Sequence, residues 1–281
     1  MSFNILLFNV TLLLYLVATI LFLVEVSARH IKTSGVARWM IWGGFAFHCA
    51  ALFFRFIEIG HTPVASLYES LSFFAWALIA TFILFDLRYR LAVLGAFVCP
   101  LAVILMLVGS AVIIGGVEPQ EVNPMLQSKW FPVHVTFAFL GHAVFGVAFA
   151  AGIMYLLQER MLKSKRFSAL YYKLPSLDVL DSINYKCLSF GFPLMTLGII
   201  SGAVWANSAW GGYWRWDPKE TWALIIWFWY AALLHGRLSI GWRGRRAAIF
   251  AIIGFIALVF SFLGVNLLLE GAHTFKSLRG E

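Results

Sequence analysis

Charge is what this sequence has least of. Only 12% of its 281 residues are Asp, Glu, Lys or Arg, about half the share usual in a soluble domain. A large soluble domain is therefore excluded. The chain has only three cysteines, Cys49, Cys99 and Cys187, far apart and inside apolar runs. They form no CxxC redox pair and no zinc quartet, and read as packing residues. No fixed-period repeat and no Gly/Ser-rich or Pro-rich linker interrupts the chain. Residues 1–281 are thus expected to form a single polytopic domain. Neither a Ser/His/Asp nor a Cys/His constellation is visible, so no protein nucleophile is expected.

Apolar residues are what the chain has in excess, at 62%. Since a spanning helix needs roughly 20 of them, the apolar runs near 4–26, 39–56, 68–85, 91–115, 131–157, 184–204, 221–236 and 247–269 predict eight transmembrane helices in an all-α bundle. The run from Ile5 to Val24 lacks a basic start and a small-residue cleavage site, and reads as the first span. Charge alternates between the connections. Those after helices one, three, five and seven hold fourteen Lys and Arg, whereas the other side holds Arg55, Lys129, Arg215, Lys219, Lys276 and Arg279. The positive-inside rule makes the first set cytoplasmic and places both termini outside. The net charge of +8 is mostly this topology signal; without a stacking pattern of aromatics it indicates membrane lipid, and no nucleic acid, as partner. Residues 158–183 mix basic side chains with Leu170, Tyr171, Tyr172 and Leu174, as a cytoplasmic amphipathic segment would.

Seven of the 12 tryptophans fall between Trp205 and Trp229. An interfacial aromatic belt accounts for indoles at helix ends, but not for Trp205, Trp210, Trp214, Trp216 and Trp222 in one predicted outer loop, 205–222. Several indoles together make a stacking platform for a large flat ligand, and Arg215 or Lys219 would pair with its acidic groups. A porphyrin fits that description. The run Asp217-Pro218-Lys219-Glu220 reads as N-cap, N1 and N3 of a capping box. The same helix start also offers a positive dipole end and N–H groups to a propionate.

The run from Trp205 to Trp222, with Trp214-Arg215-Trp216-Asp217 at its centre, resembles the WWD signature of the haem-handling protein family. Within that family the chain is most similar to cytochrome c biogenesis proteins of the CcsA/ResC type, membrane subunits of the System II cytochrome c synthetase. Weaker likenesses extend along the chain: Gly60-His61-Thr62-Pro63 with Tyr68-Glu69-Ser70, Trp130 with His134-Val135, Leu234-His235-Gly236-Arg237, and His273. The resemblance implies non-covalently held haem b as substrate. It implies His134 and His273 as axial ligands of an outer site, and His235 as a ligand within the membrane opposite a second subunit. It also implies a CcsB/ResB-type partner, delivery to the CxxCH motif of apocytochrome c, haem-lyase activity of the two-subunit complex, and a thioredoxin-like thiol reductant.

The residues themselves are compatible with this. His134 lies near the outer start of the fifth predicted helix and His273 just past the outer end of the eighth, and imidazole is a common axial ligand. His235, followed by Gly236 and Arg237, also reads as a helix stop. His48 is expected to pair with His235, to bridge helices by a hydrogen bond, or to be satisfied locally. His142, about 12 Å below His134, reads as packing or support. Arg55 is either a propionate contact or a salt-bridge partner of Glu69. A haem exporter or chaperone without attachment activity shares all these residues, and a b-type cytochrome subunit is the rival from another class. The charge bias reads alike for a bacterial cytoplasmic membrane and a thylakoid; the bacterial membrane is the expectation, with the thylakoid as the alternative.

Overall fold

The computed structural model describes residues 3–28, 31–114, 124–165 and 167–265. Within them, eight helices are long and apolar enough to cross a membrane. These are α1 (Phe3–Ser27), α2 (Ser34–Ile59), α3 (Leu67–Tyr89), α4 (Ala92–Ile114), α5 (Trp130–Lys163), α7 (Leu177–Trp210), α8 (Pro218–His235) and α9 (Arg245–Val259), the last two carried on to Ile240 and Gly264 by π turns. The eight predicted spans all appear. A five-residue helix, α6 (Ala169–Lys173), lies between α5 and α7.

Two four-helix groups make up the bundle. In the first, α1 packs on α2 and α4, and α3 on α4; in the second, α5 packs on α7 and α9, and α8 bridges α7 and α9. The two groups meet chiefly where α3 lies against α5. These two helices are accordingly the innermost, with 72% and 67% of their apolar windows buried against 22% for α2. Their sequences show why. Leu71, Phe74, Leu78, Ile79 and Phe82 cover several faces of α3 and are all essentially inaccessible, as suits a helix that is mostly enclosed.

Polar groups pin the helix ends. Glu25 near the end of α1 accepts from the backbone N–H groups of Thr33, at 2.8 Å, and Ser34. It thus caps α2, whose own N-cap side chain makes no such bond. Arg38 of α2 holds Asp86 of α3 through Nε at 2.6 Å and Nη2 at 3.0 Å. Arg237 forms the same forked pair with Asp181 of α7, at 2.9 and 2.8 Å, and Asp181 also accepts from the Gly244 N–H at 2.8 Å. Two-point Arg–carboxylate pairing fixes orientation as well as contact.

The most extensive helix pair is α5 with α7. A β-carbon at Gly198 would sit 3.1 Å from the Ala138 backbone nitrogen, and one at Gly141 would sit 3.0 Å from that of Met195. Backbone-to-backbone approach of this kind needs small residues, and in lipid it replaces the hydrophobic drive that holds soluble helices together.

Both helices are longer than expected. Each has 34 residues, about 50 Å at 1.5 Å per residue against a hydrocarbon core of about 30 Å. The extension of α7 to Trp210 takes Trp205 and Trp210 out of the expected loop, which is reduced to residues 211–217. Apolar periodicity marks where a helix is immersed and is silent where it continues into water. Residues 158–183 likewise divide among the end of α5, the short α6 and the start of α7, and form no single surface helix. Gly236 does not stop α8: the chain continues in a wide π turn (Gly236–Ile240) and reverses at Gly241, with φ of 77°. Gly236 is there because the Trp242 ring lies where its β-carbon would be, 2.5 Å away.

Substituting Gly198 by Ala should destabilise the detergent-solubilised protein by about 1–3 kcal/mol, because backbone cannot yield to the added methyl. Gly43→Ala, on a face of α2 with nothing within 4 Å, should stabilise by about 0.5–1 kcal/mol. Thermal melting of the two variants beside wild type checks both signs.

Candidate functional site

One cavity, of about 170 Å³, opens between α5, α7, α8 and α9 at the end of the bundle that carries the tryptophans. His134, His142, Trp205, Trp214 and Lys219 line it, with Ser70 and Ser261 as further polar groups. His134, one turn into α5, is held on two sides. Its Nδ1 donates to the Gly198 carbonyl at 2.8 Å, so Nε2 is the nitrogen that carries the lone pair whenever the ring is neutral. Its face lies nearly parallel to Trp205, at 11° with centroids 5.9 Å apart. Gly202 admits this arrangement, since a β-carbon there would lie 2.7 Å from the imidazole. The pair Gly198 and Gly202, four residues apart on α7, therefore fixes both the hydrogen bond and the space of the ring.

Behind this contact the aromatics brace one another. Trp205 is buried, with Phe131 tilted against it at 5.2 Å and Trp210 edge-on at 4.9 Å. Gly211, at φ of 75°, ends α7 and donates to the Asn207 carbonyl at 3.0 Å. The following loop sets Trp214 and Trp216 perpendicular, 5.8 Å apart. Trp214 faces the cavity, and its Nε1 is buried without a protein partner among the described residues. Trp216 takes a left-handed backbone, φ 58°, and is 69% exposed. Trp216 thus extends the indole surface outward, and Tyr213 and Trp130 are exposed as well.

Glu220 sets the loop's shape. Its Oε2 accepts from the backbone N–H groups of Arg215 at 2.8 Å and Asp217 at 3.3 Å, while Asp217 Oδ1 accepts from the Lys219 N–H at 2.9 Å. The expected capping box is present. It has a consequence for the anion site considered at the same helix start: the capping carboxylates already neutralise and occupy that terminus, and the available positive group is the Lys219 side chain. Lys219 lines the cavity, and its ammonium makes no ion pair among the described residues.

The other singled-out residues lie elsewhere. Trp222 packs edge-on against Phe260 at 4.9 Å, and Arg215 is exposed on the loop. Arg55 is paired with Glu69 at 2.8 Å and Glu58 at 3.4 Å. That pair braces the start of α3, where Glu69 closes a capping box with Ser66. His235 is exposed at the opposite end of α8, 3.5 Å from Ser239 Oγ and about 24 Å along the axis from Lys219. His48 is satisfied locally: Tyr15 Oη lies 3.4 Å from its Nδ1 and Ser72 Oγ 3.0 Å from its Nε2. Its two nitrogens are thus engaged within the first helix group, and it does not pair with His235. His273 lies outside the described residues. No group of three or more metal-ligating side chains occurs among the described residues.

The family model for cytochrome C assembly protein matches residues 64–273, about three quarters of the sequence. The chain belongs to this family. Cytochrome c biogenesis protein CcsA of Guillardia theta is 37% identical over 242 residues, covering 79% of each chain. Its namesake in Synechococcus sp. strain CC9902 is 36% identical over 268 residues and 86% of each chain. That of Chlamydomonas reinhardtii is 39% identical over 230 residues, which cover 80% of this chain and 64% of that one. The family match spans the cavity, the tryptophan loop and His235 together, so all three belong to one family domain. Sequence reasoning did not single out Gly198 and Gly202, although their four-residue spacing within an apolar helix marks a close helix contact.

Replacing Glu220 by Gln keeps one acceptor but removes the charge that holds two backbone donors. We expect faster proteolytic cleavage after Arg215 and a red-shifted tryptophan emission, with the melting temperature lowered by only a few degrees.

Proposed function

We propose that the chain takes haem from the cytoplasmic half of the membrane and holds it at an outer site on His134 and the tryptophan loop. There it presents the haem for thioether attachment to the CxxCH motif of apocytochrome c, in a two-subunit complex with a CcsB/ResB-type partner. The observation that carries this reading is the setting of His134. A ring whose Nδ1–H is held by a backbone carbonyl is the arrangement found in metal-ligating histidines, because it fixes the tautomer and aims Nε2. Beside it stand an indole face, a second indole whose N–H has no partner among the described residues, and an ammonium that makes no ion pair among them. Axial nitrogen, flat apolar surface, hydrogen-bond donor and cation match the parts of haem: iron, macrocycle and propionate.

The fit sets a limit on where haem rests. At about 170 Å³ the cavity is smaller than the ~300–1,000 Å³ of typical enclosed ligand sites. It admits an edge of the macrocycle, while the exposed faces of Trp216 and Trp130 receive the rest. Haem is the substrate, and a site open on one side suits loading and release. His273 is the second axial ligand on this reading, and Lys219 the propionate partner, with Arg215 nearer the rim.

His235 serves the earlier stage. An exposed imidazole near the cytoplasmic end of α8 has no facing ligand among the described residues, which suits a haem shared with a partner subunit. The chain supplies position rather than a nucleophile: the thiols come with the apocytochrome, and bringing them against fixed vinyl groups converts an encounter into an intramolecular step. With no CxxC of its own, the chain relies on a thioredoxin-like partner to keep those thiols reduced. The membrane is the bacterial cytoplasmic membrane or the thylakoid, and the relatives in cyanobacteria and algae are compatible with both.

The test is the absorption spectrum of the detergent-purified complex, with pyridine extraction to separate free from thioether-linked haem. Wild type should carry unattached haem. His134→Ala and His273→Ala should each weaken or shift the Soret band, and His134→Gly should recover in part with added imidazole. Gly202→Ala, which crowds the ring without removing it, should shift the band in the same direction. Bound haem that never becomes thioether-linked in the presence of reduced apocytochrome would make the chain a haem exporter, and a band indifferent to both histidines would remove the site.

A further inference from the structure

The cavity contains one titratable side chain that haem holding does not use. His142 lies eight residues after His134 on α5, about 12 Å further along the axis, and lines the same cavity. The two rings are too far apart to share one iron. Aromatic edges fix His142 in place: Phe74 of α3 and Phe139 both approach at 6.1 Å, inclined at 64° and 76°. Its Nδ1 is buried without a protein partner among the described residues. His48 shows the contrasting case of an enclosed histidine that has found partners for its two nitrogens. A residue placed only to fill space here would pack better as Leu or Phe, because an unmatched buried polar group is costly to keep.

The same space holds a second unpartnered nitrogen, Trp214 Nε1, together with the hydroxyls of Ser70 and Ser261. A water molecule needs only about 10–15 Å³ of such space and two to four polar partners. The cavity therefore has the volume and the lining for several waters in contact with His142. The other titratable groups that face this space are His134 on α5 and Lys219 and Glu220 on α8; α7 and α9 contribute only uncharged residues.

We propose that His142 is the proton relay of thioether formation, acting through water in this cavity. The inference rests on the haem-presenting function above and adds a residue to it. Attachment forms a bond from cysteine sulfur to the vinyl carbon next to the macrocycle and breaks the vinyl π bond. The S–H proton ends on the terminal vinyl carbon, which becomes a methyl group. No electron is gained or lost, and no further reactant is consumed. The proton must nevertheless travel from sulfur to a carbon on the far side of the new bond. A neutral imidazole accepts it at one nitrogen and releases another from the second. On this reading His134 is taken by the iron and Lys219 by a propionate, Glu220 is held by two backbone N–H groups, and the Ser70 hydroxyl proton is engaged with the Val64 carbonyl at 2.7 Å. His142 is the group at this depth able to do both.

The experiment uses the full chain with its partner subunit, loaded with haem and mixed once with a reduced CxxCH-containing apocytochrome c, in H₂O and in D₂O. His142→Asn retains hydrogen bonding but does not titrate near neutral pH, whereas His142→Phe fills the space without polarity. Both variants should hold haem with the wild-type Soret position and form thioether about 10²–10⁴-fold more slowly. Their ratio of rates in H₂O and D₂O should differ from that of wild type. A rate that falls only in proportion to haem lost, with that ratio unchanged, would make His142 a structural residue; wild-type speed in His142→Asn would do the same. Should His142→Phe lose haem through misfolding, His142→Asn alone decides. Failure of the underlying function is distinguishable, since wild type itself would then form no thioether.

Discussion

The contact between α5 and α7 is the constraint from which the site follows. In lipid, helices gain little from burying apolar surface, and close van der Waals packing with interhelical hydrogen bonds must hold them. Gly141, Gly191 and Gly198 bring the two backbones together, and each is so placed that an added β-carbon meets a neighbour within about 3 Å. That approach puts the Gly198 carbonyl within reach of His134 Nδ1. Gly202 then leaves room for the imidazole between the helices, and Trp205, one turn further on, covers its face. A histidine on a more distant helix pair would be free to rotate. The packing of the membrane helices and the orientation of the His134 ring are one feature.

The two helix groups divide the labour in a way that their polar groups record. In the first, enclosed polar side chains are matched: Glu25 caps α2, Asp86 holds Arg38, Glu69 holds Arg55, and His48 lies between Tyr15 and Ser72. In the second, His142, Trp214, Asn184, Tyr230 and Gln158 each keep a buried polar atom without a partner among the described residues. Unmatched atoms of this kind are rare in stable interiors, and finding all five on one side means that side is not optimised for stability alone. The first group is the scaffold, with its charges used up at helix ends. The second keeps unmatched polar atoms, and two of them, on His142 and Trp214, belong to residues that line the cavity.

Much of this was legible in the sequence. Apolar runs gave all eight spans, because the bilayer imposes a length that no packing detail overrides. The capping box at Asp217 and Glu220 was readable because it depends on four consecutive residues. What failed to show was anything fixed by neighbours distant in sequence. Trp205 and Trp210 read as loop residues because α7 leaves the membrane before it ends. Gly236 read as a stop because its actual reason, the Trp242 ring packed against it, belongs to tertiary structure. Arg55 was ambiguous between a ligand and a carboxylate until Glu69 lay beside it. The cavity, and His142 with it, was hidden because a 12 Å separation rules out a shared iron but says nothing of a shared space.

The tryptophan loop shows how much rigidity the task requires. Its indoles are oriented through backbone: Glu220 holds the N–H groups of Arg215 and Asp217, and Gly211 fixes the exit from α7. Side chains that must receive a large flat ligand gain from such prior ordering, because each indole otherwise loses conformational freedom on binding. On the proposed function, a platform for a substrate that leaves covalently attached to another protein cannot also enclose it. Trp205 and Trp214 lie at the cavity while Trp216 stays exposed, so that one edge of the ligand would be gripped by buried residues and the opposite surface would stay open to an incoming peptide. Release would then need only exchange of an axial nitrogen and loss of stacking area on the open side.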